Sequence, residues 1–277
     1  MHLVDTHQHL WDLDRLPYSW CAGLPALNRS FRIDDYAAAA AGCGITKTVF
    51  MECDVDSPHQ LAEAVAVQAL ADAHPLIAGL VASARPENAD FPAQLEVLVR
   101  LPKLRGLRRV LHVVPDAVSQ QPLFRENLRR LPALNLTFDL CVLARQLPLA
   151  RELADACPEV TFILDHCGVP DVKGRAFDPW RAGITALAER PNVNCKISGL
   201  VAYADAAWTT ADLRPWVEHV ITCFGWDRVV WGGDWPVCTL GAPLARWVAA
   251  TRELLAQATP DQQAKIYHHN AQRLYRV

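Results

Sequence analysis

The 277-residue chain lacks the features that mark a membrane protein, a nucleic-acid binder or a disulfide-stapled secreted domain. No apolar run reaches the roughly 18 residues that a membrane span requires. The first strand-like run begins straight after Met1, so no signal peptide is expected. There is no dense run of Lys or Arg and the formal net charge is −3, so the electrostatic footprint of a nucleic-acid or anionic-membrane partner is missing. A small-molecule partner is expected instead. The nine cysteines are odd in number, scattered, and nowhere arranged as C-x-x-C. Several, such as Cys141 and Cys195, lie inside apolar runs and read as small buried hydrophobes in a reducing compartment, so a cytoplasmic location is expected. No G-x-G-x-x-G follows the first apolar run, which argues against a dinucleotide-binding open sheet. Repeats, linkers and low-complexity stretches are absent as well.

What the chain does have is alternation. Short runs rich in Val, Ile, Leu and Phe recur at Leu3–His9, Lys47–Cys53, Ile77–Ser83, Leu107–His112, Leu136–Val142, Val160–Asp165, Val193–Ile197 and Arg228–Trp231. Between them lie segments of helical period: 34–41 (ended by Gly42), 58–73, 91–101, 124–131, 147–156, 180–189, 212–224 and 244–256. Near-continuous apolar strands suit a parallel sheet covered on both faces. Strand–helix alternation of about eight units, in a chain close to the ~250 residues typical of the fold, predicts a (β/α)8 TIM barrel. Two longer connections, 12–31 and 199–210, each follow the C-terminal end of a strand, where such a barrel keeps its site, and are candidate substrate loops.

Polar residues at the ends of these apolar runs need a reason, because a buried charge is costly unless paired. His7 and His9 share one strand face by alternation, with Asp5 behind them, and can aim ring nitrogens at one point. Glu52 ends the second run. Arg108 and His112 share a face on the fourth. His166 follows Asp165 on the sixth, Lys196 and Ser198 lie on and after the seventh, and Asp234 follows Gly232-Gly233 on the eighth. Taken singly, each has a plainer explanation: Glu52 as a helix cap near Ser57, Lys196 as the partner of a core carboxylate, and Arg109 as a solvated charge. Taken together, His7, His9, His166 and Asp234 converge at one mouth of a barrel.

In this order the residues carry a resemblance. His7-x-His9, Asp165-His166-x-Gly168 and Gly233-Asp234-Trp235-Pro236 resemble the amidohydrolase superfamily, and specifically its lactone hydrolases. The likeness sharpens at Lys103–Arg108, Arg145–Pro148, Cys195–Leu200 and Asp234–Cys238, and it spans nearly the whole chain. It implies an amidohydrolase-type barrel over residues 1–277 as a single domain, and hydrolysis of a sugar-acid lactone to the open-chain aldonate in sugar catabolism.

The chemistry can be set beside the resemblance. Opening a lactone needs an activated water, a place for the oxyanion and a proton for the departing alkoxide. Asp234 is the expected general base, with His166 hydrogen-bonding the water or Asp234. Arg108 offers a fork of donors to the oxyanion or substrate oxygens. Glu52, His112, Lys196, Ser198, Tyr18, Trp20 and Trp235 are expected to contact substrate. His7, His9 and Asp234 could hold one optional divalent ion, zinc before others, with Glu52 or His166 as a further candidate ligand. Related enzymes with one ion place a further histidine on the fifth strand, which this chain lacks, and its fourth strand offers no lysine to bridge two ions, so a binuclear centre is not expected and the resemblance leaves metal-independent action open. Three rivals remain: a pyrone or muconolactone hydrolase, which would call for converging arginines such as Arg108 and Arg145; a decarboxylase of the same superfamily; and an inactive barrel that binds sugar acids. The outward helix faces show no decisive apolar stripe, so the oligomeric state is open.

Overall fold

A computed structural model describes residues 2–277. Eight parallel strands stand in sequence order: β1 (Leu3–Gln8), β2 (Ile45–Met51), β3 (Ile77–Ser83), β4 (Leu104–Val110), β5 (Thr137–Cys141), β6 (Phe162–Leu164), β7 (Val193–Ile197) and β8 (Val229–Trp231). The helices between them are α1 (Ile33–Ala39), α2 (Gln60–Ala73), α3 (Phe91–Leu98), α4 (Pro122–Leu128), α5 (Leu147–Ala156), α6 (Phe177–Ala188), α7 (Thr210–Phe224) and α8 (Leu244–Leu254). The architecture is the expected (β/α)8 barrel. Among the described residues no helix is long and apolar enough to cross a membrane.

The period-2 pattern of the strands sorts side chains into two layers. Val49 and Met51 point into the barrel while Phe50 packs outward under the helices, and Ile163 and Val230 point inward between outward-packed neighbours. Val4 and Val81 join them, so the inward layer at one end is hydrocarbon. That end is stoppered by a segment the helical periodicity does not pick out, α9 (Pro260–Ala264) and α10 (Asn270–Tyr275), whose Ala271, Leu274 and Tyr275 pack against this layer.

The seam between β8 and β1 closes at the other end by local chemistry. Thr6 Oγ1 donates to Trp231 O at 2.7 Å, the Asp234 N–H to His7 O at 2.8 Å, and the His9 N–H to Trp235 O at 2.8 Å. Pairing of β1 with β2 slips by one residue between Asp5 and Gln8. The slip lets Val4 and His7 both face inward and turns Asp5 away from the histidines it was expected to back. Asp5 instead accepts from the His7 N–H (3.0 Å), the Gly233 N–H (2.7 Å) and the Tyr36 hydroxyl on α1 (2.8 Å), clipping β1 to β8. Glycine is required at 232 because a Cβ there would stand 2.6 Å from the His7 Cβ.

Strand ends differ from the sequence-based bounds at two places that matter. β4 starts three residues early and stops at Val110; Leu111–Val113 form a 3-10 turn, so His112 leaves the strand it was expected to share with Arg108. β6 shrinks to three residues, and Asp165–Gly168 turn sharply, with His166 and Cys167 at φ 53°. Asp234, at φ 55°, lies in the same left-handed region. Non-glycine residues held there store about 1–3 kcal/mol each, and His166 and Asp234, both expected site residues, carry it.

Candidate active site

A cavity of about 390 Å³ opens where the strands end. His9, Arg108, His112, His166 and Asp234 line it, with Trp20 and Leu24 from the connection after β1 and Ala202 and Tyr203 from the connection after β7. Both long connections thus contribute wall. The first is pinned by the Trp20 indole, which donates to Cys53 O at 2.8 Å, and by reciprocal backbone bonds between Trp11 and Phe31.

Three histidines converge on one carboxylate. Asp234 Oδ1 is 3.7 Å from His7 Nε2, 3.6 Å from His9 Nε2 and 4.0 Å from His166 Nε2. Its other oxygen, Oδ2, is buried without a hydrogen-bond partner among the described residues. Each ring is oriented from behind. His9 Nδ1 lies 2.9 Å from Met51 O, which only a donating Nδ1–H satisfies and which leaves Nε2 with its lone pair. His166 Nδ1 meets Ser198 Oγ at 2.9 Å, while His7 Nδ1 stands between Lys196 Nζ (3.2 Å) and Asp165 Oδ1 (3.4 Å). Gly199, at φ +70°, brings backbone against His166: a Cβ there would sit 2.6 Å from Nδ1.

Beneath the histidines lies a layer of fully buried charge. Lys196 Nζ reaches Asp139 Oδ1 at 2.8 Å and Asp165 Oδ1 at 2.9 Å, and the Tyr275 hydroxyl donates to Asp139 Oδ1 at 2.7 Å. Arg108 bonds Glu52 through Nε (2.7 Å) and Asp165 through Nη1 (3.3 Å). Burial works against every one of these charges, so their states follow from their partners. Although burial opposes it, Lys196 is held above the ordinary lysine value by Asp139 and Asp165. Two carboxylates sharing one ammonium do not fare alike: Asp165 is drawn well below the carboxylate range by Lys196 and His7, while burial pushes Asp139 up to about 6. Burial likewise pushes His7 well below the usual histidine value, lowers His166, and takes His112 down to about 4, so all three rings are neutral near pH 7.

This arrangement fits a divalent ion. The facing Nε2 atoms of His7 and His9 are 3.1 Å apart, a separation that demands a shared proton or a cation between them. A triangle with the spacings given above for His7, His9 and Asp234 has its centre within the ~2.0–2.2 Å of zinc–imidazole and zinc–carboxylate bonds. Charge points the same way. Among the described residues of the barrel lumen, the buried carboxyl groups Glu52, Asp139, Asp165 and Asp234 outnumber the buried cations Arg108 and Lys196. His7, Asp165 and His166 form a second group with donor atoms close together, but Lys196 and Arg108 already occupy that carboxylate.

The structure brings together His7, His9, His166, Asp234, Arg108, His112 and Trp20. It places the other expected substrate contacts elsewhere. Lys196 and Ser198 are fully buried under the floor, bonded to Asp139 and His166. Glu52 is spent on Arg108 and on the Asp54 N–H. Tyr18 donates to Glu63 at 3.1 Å behind the entrance loop, and Trp235 packs edge-on against Phe31 and Tyr36. Arg109, expected to be solvated, is buried and paired with Glu87 at 2.9 Å. Arg145 bonds Asp116 outside the cavity. Missing from the sequence-based set are Asp139, Tyr203 and Tyr275. A charge inside the apolar run 137–141 marks Asp139; Tyr275 carries no local signal.

Comparison with known proteins agrees with the geometry. A model of the amidohydrolase family matches residues 4–277. An L-fucono-1,5-lactonase of Burkholderia ambifaria is 29% identical over 280 residues, covering 99% of this chain and 95% of that one. A second L-fucono-1,5-lactonase, from Burkholderia multivorans, is 31% identical over 254 residues, covering 86% and 83%. The crystal structure of a Burkholderia multivorans amidohydrolase with bound zinc superposes over the whole of both chains with a TM-score of 0.91 at 26% identity. Barrel, histidine-carboxylate mouth and a family match that runs from the first strand to the last residue lead to one conclusion: this chain belongs to the amidohydrolase family.

Proposed function

We propose that this protein hydrolyses a sugar-acid lactone to its open-chain hydroxy acid, with Asp234 as general base. The observation that carries the reading is Asp234 itself, a cavity-lining carboxylate ringed by three histidine nitrogens through one oxygen and free at the other. Two relatives that cover most of the chain are L-fucono-1,5-lactonases, which supports the substrate class.

In this reading Asp234 takes a proton from water as the water oxygen adds to the lactone carbonyl. The same proton is returned to the ring oxygen as the carbon–oxygen bond breaks. His166, held by Ser198, steadies the water against Asp234. His7 and His9 form the wall that the carbonyl oxygen meets, and Arg108, fixed by Glu52, adds fixed positive charge beside it. A zinc ion held by His7, His9 and Asp234 would supply Lewis acidity toward the carbonyl or its water. Arg108 is the one arginine among the described residues lining the cavity, and its fork is largely committed to Glu52 and Asp165. A neutral lactone suits that wall better than a dicarboxylate.

The test is a pH-indicator assay of the purified protein over aldonolactones, pyrones and muconolactones, with chelator and with added zinc. Proton release from an aldonolactone is expected. Release of carbon dioxide from an acidic aromatic acid, with no lactone opened, would overturn the reading.

A further inference from the structure

The cavity has two unlike halves. Its floor is polar, as described, but the wall above is built from Trp20, Leu24, Val113, Val237, Leu240 and the ring of Tyr203. Four of these stand open to solvent: Leu24 is 40% exposed, Val113 59%, Tyr203 37% and Leu240 44%. They are four of the nine large apolar side chains exposed among the described residues. Single exposed hydrophobes need no explanation, but four around one opening form a patch that marks a binding surface. They come from four separate connections, after β1, β4, β7 and β8, so no single amphipathic helix accounts for them. Polar groups on this upper wall are few. They are the Tyr203 hydroxyl, the His112 ring and Asp54, which is tied to Arg85 at 3.4 Å, while Lys196 and Ser198, the residues best suited to read hydroxyls, lie bonded beneath the floor.

A ring with a hydroxyl on every carbon would therefore press most of its outer hydroxyls against hydrocarbon, where they lose water and gain few partners. The volume points the same way: 390 Å³ falls in the range that holds drug-sized ligands, about 300–1,000 Å³, and leaves room above a single lactone ring on the floor.

We propose that the collar of Leu24, Val113, Tyr203 and Leu240 is a subsite for a hydrocarbon substituent, larger than a methyl group, on the outward ring carbon of the lactone. The inference rests on the lactonase reading and narrows its substrate class to lactones with an apolar outer end. The reaction is unchanged: water adds at the carbonyl carbon, the ring carbon–oxygen bond breaks, and the proton from water passes to the departing alkoxide. That alkoxide is the secondary alcohol that carries the hydrocarbon.

The test is the kcat/KM of δ-lactones that share one ring and differ at the carbon bearing the ring oxygen, from hydroxymethyl through methyl and propyl to hexyl. Each methylene that reaches the collar is expected to raise kcat/KM about fourfold, until the subsite is full. In Val113→Ser/Leu240→Ser, both changes being at exposed positions, the propyl-to-hydroxymethyl ratio is expected to fall toward one, with circular dichroism confirming the fold. If the hydroxymethyl lactone is opened and the series is flat or falling, the subsite is wrong and the lactonase reading survives. A rising series whose ratio the double variant leaves unchanged also removes the collar from the account. If neither this series nor any aldonolactone is opened, the lactonase reading fails and takes the subsite with it.

Discussion

The two ends of this barrel are filled by opposite chemistries. At one end Val4, Val49, Met51, Val81, Ile163 and Val230 meet Leu274 and Tyr275 in a hydrocarbon plug. At the other, the same inward positions of β1, β4, β5 and β7 carry His7, Arg108, Asp139 and Lys196. The first end lowers the free energy of folding through apolar burial; the second raises it unless every charge finds a partner. The difference shows where stability was given up for chemistry. It also gives Tyr275 an unusual place, because its ring belongs to the plug and its hydroxyl to the charged layer.

The sharpest way to break this comparison is Lys196→Met, which removes the ammonium between Asp139 and Asp165 and leaves Asp139 with no cation and Asp165 with Arg108 alone. A loss of about 3–5 kcal/mol in denaturant unfolding is expected, and an unchanged midpoint would mean that the layer is not held by paired charge. Leu274→Ala should cost ~2–3 kcal/mol through the cavity it leaves in the plug. Lactone turnover below the melting point should stay at wild type; a large fall in kcat would show that the two ends are not separable. Tyr275→Phe removes one donor to a carboxylate and should lower stability by about 1 kcal/mol, measured the same way.

Glu63 sharpens the contrast through its pH dependence rather than through a lost partner. It is buried like Asp165 but has no cation beside it, only the Tyr18 hydroxyl and the Cys53 N–H, and burial pushes its pKa up to about 8. The folded state therefore keeps its proton where the unfolded chain has lost it. Its contribution to stability is complete below the ordinary glutamate value of 4.5 and is lost as pH rises through about 8. Melting temperatures of the wild type should fall across that window more steeply than those of Glu63→Gln. Parallel curves would show that Glu63 does not titrate there.

Much of this organisation was legible in the sequence because it rests on periodicity. Apolar runs of strand length alternating with helical segments specify the barrel, and polar residues placed just past those runs mark its mouth. His9, Arg108, His166 and Asp234 fall at the cavity for that reason. What alternation could not show was which way a side chain turns once the strand bends. The slip at Asp5–Gln8 reverses the parity of β1, the 3-10 turn at Leu111 carries His112 off its strand, and the left-handed turn at His166 aims its ring by backbone geometry. Lys196 and Ser198 point inward as parity requires, yet depth along the barrel, which no local pattern encodes, puts them below the floor. Tyr275 lies 136 residues from its partner Asp139, and only the closed fold joins them.

The central claim is that Asp234 moves the proton. Its most direct test is kcat for the best lactone in Asp234→Asn, with the melting temperature measured alongside. The asparagine keeps the shape and loses the base, so kcat should fall by about 10²–10⁴-fold while the melting temperature holds. A folded Asp234→Asn protein that opens the lactone at close to the wild-type rate would contradict the account.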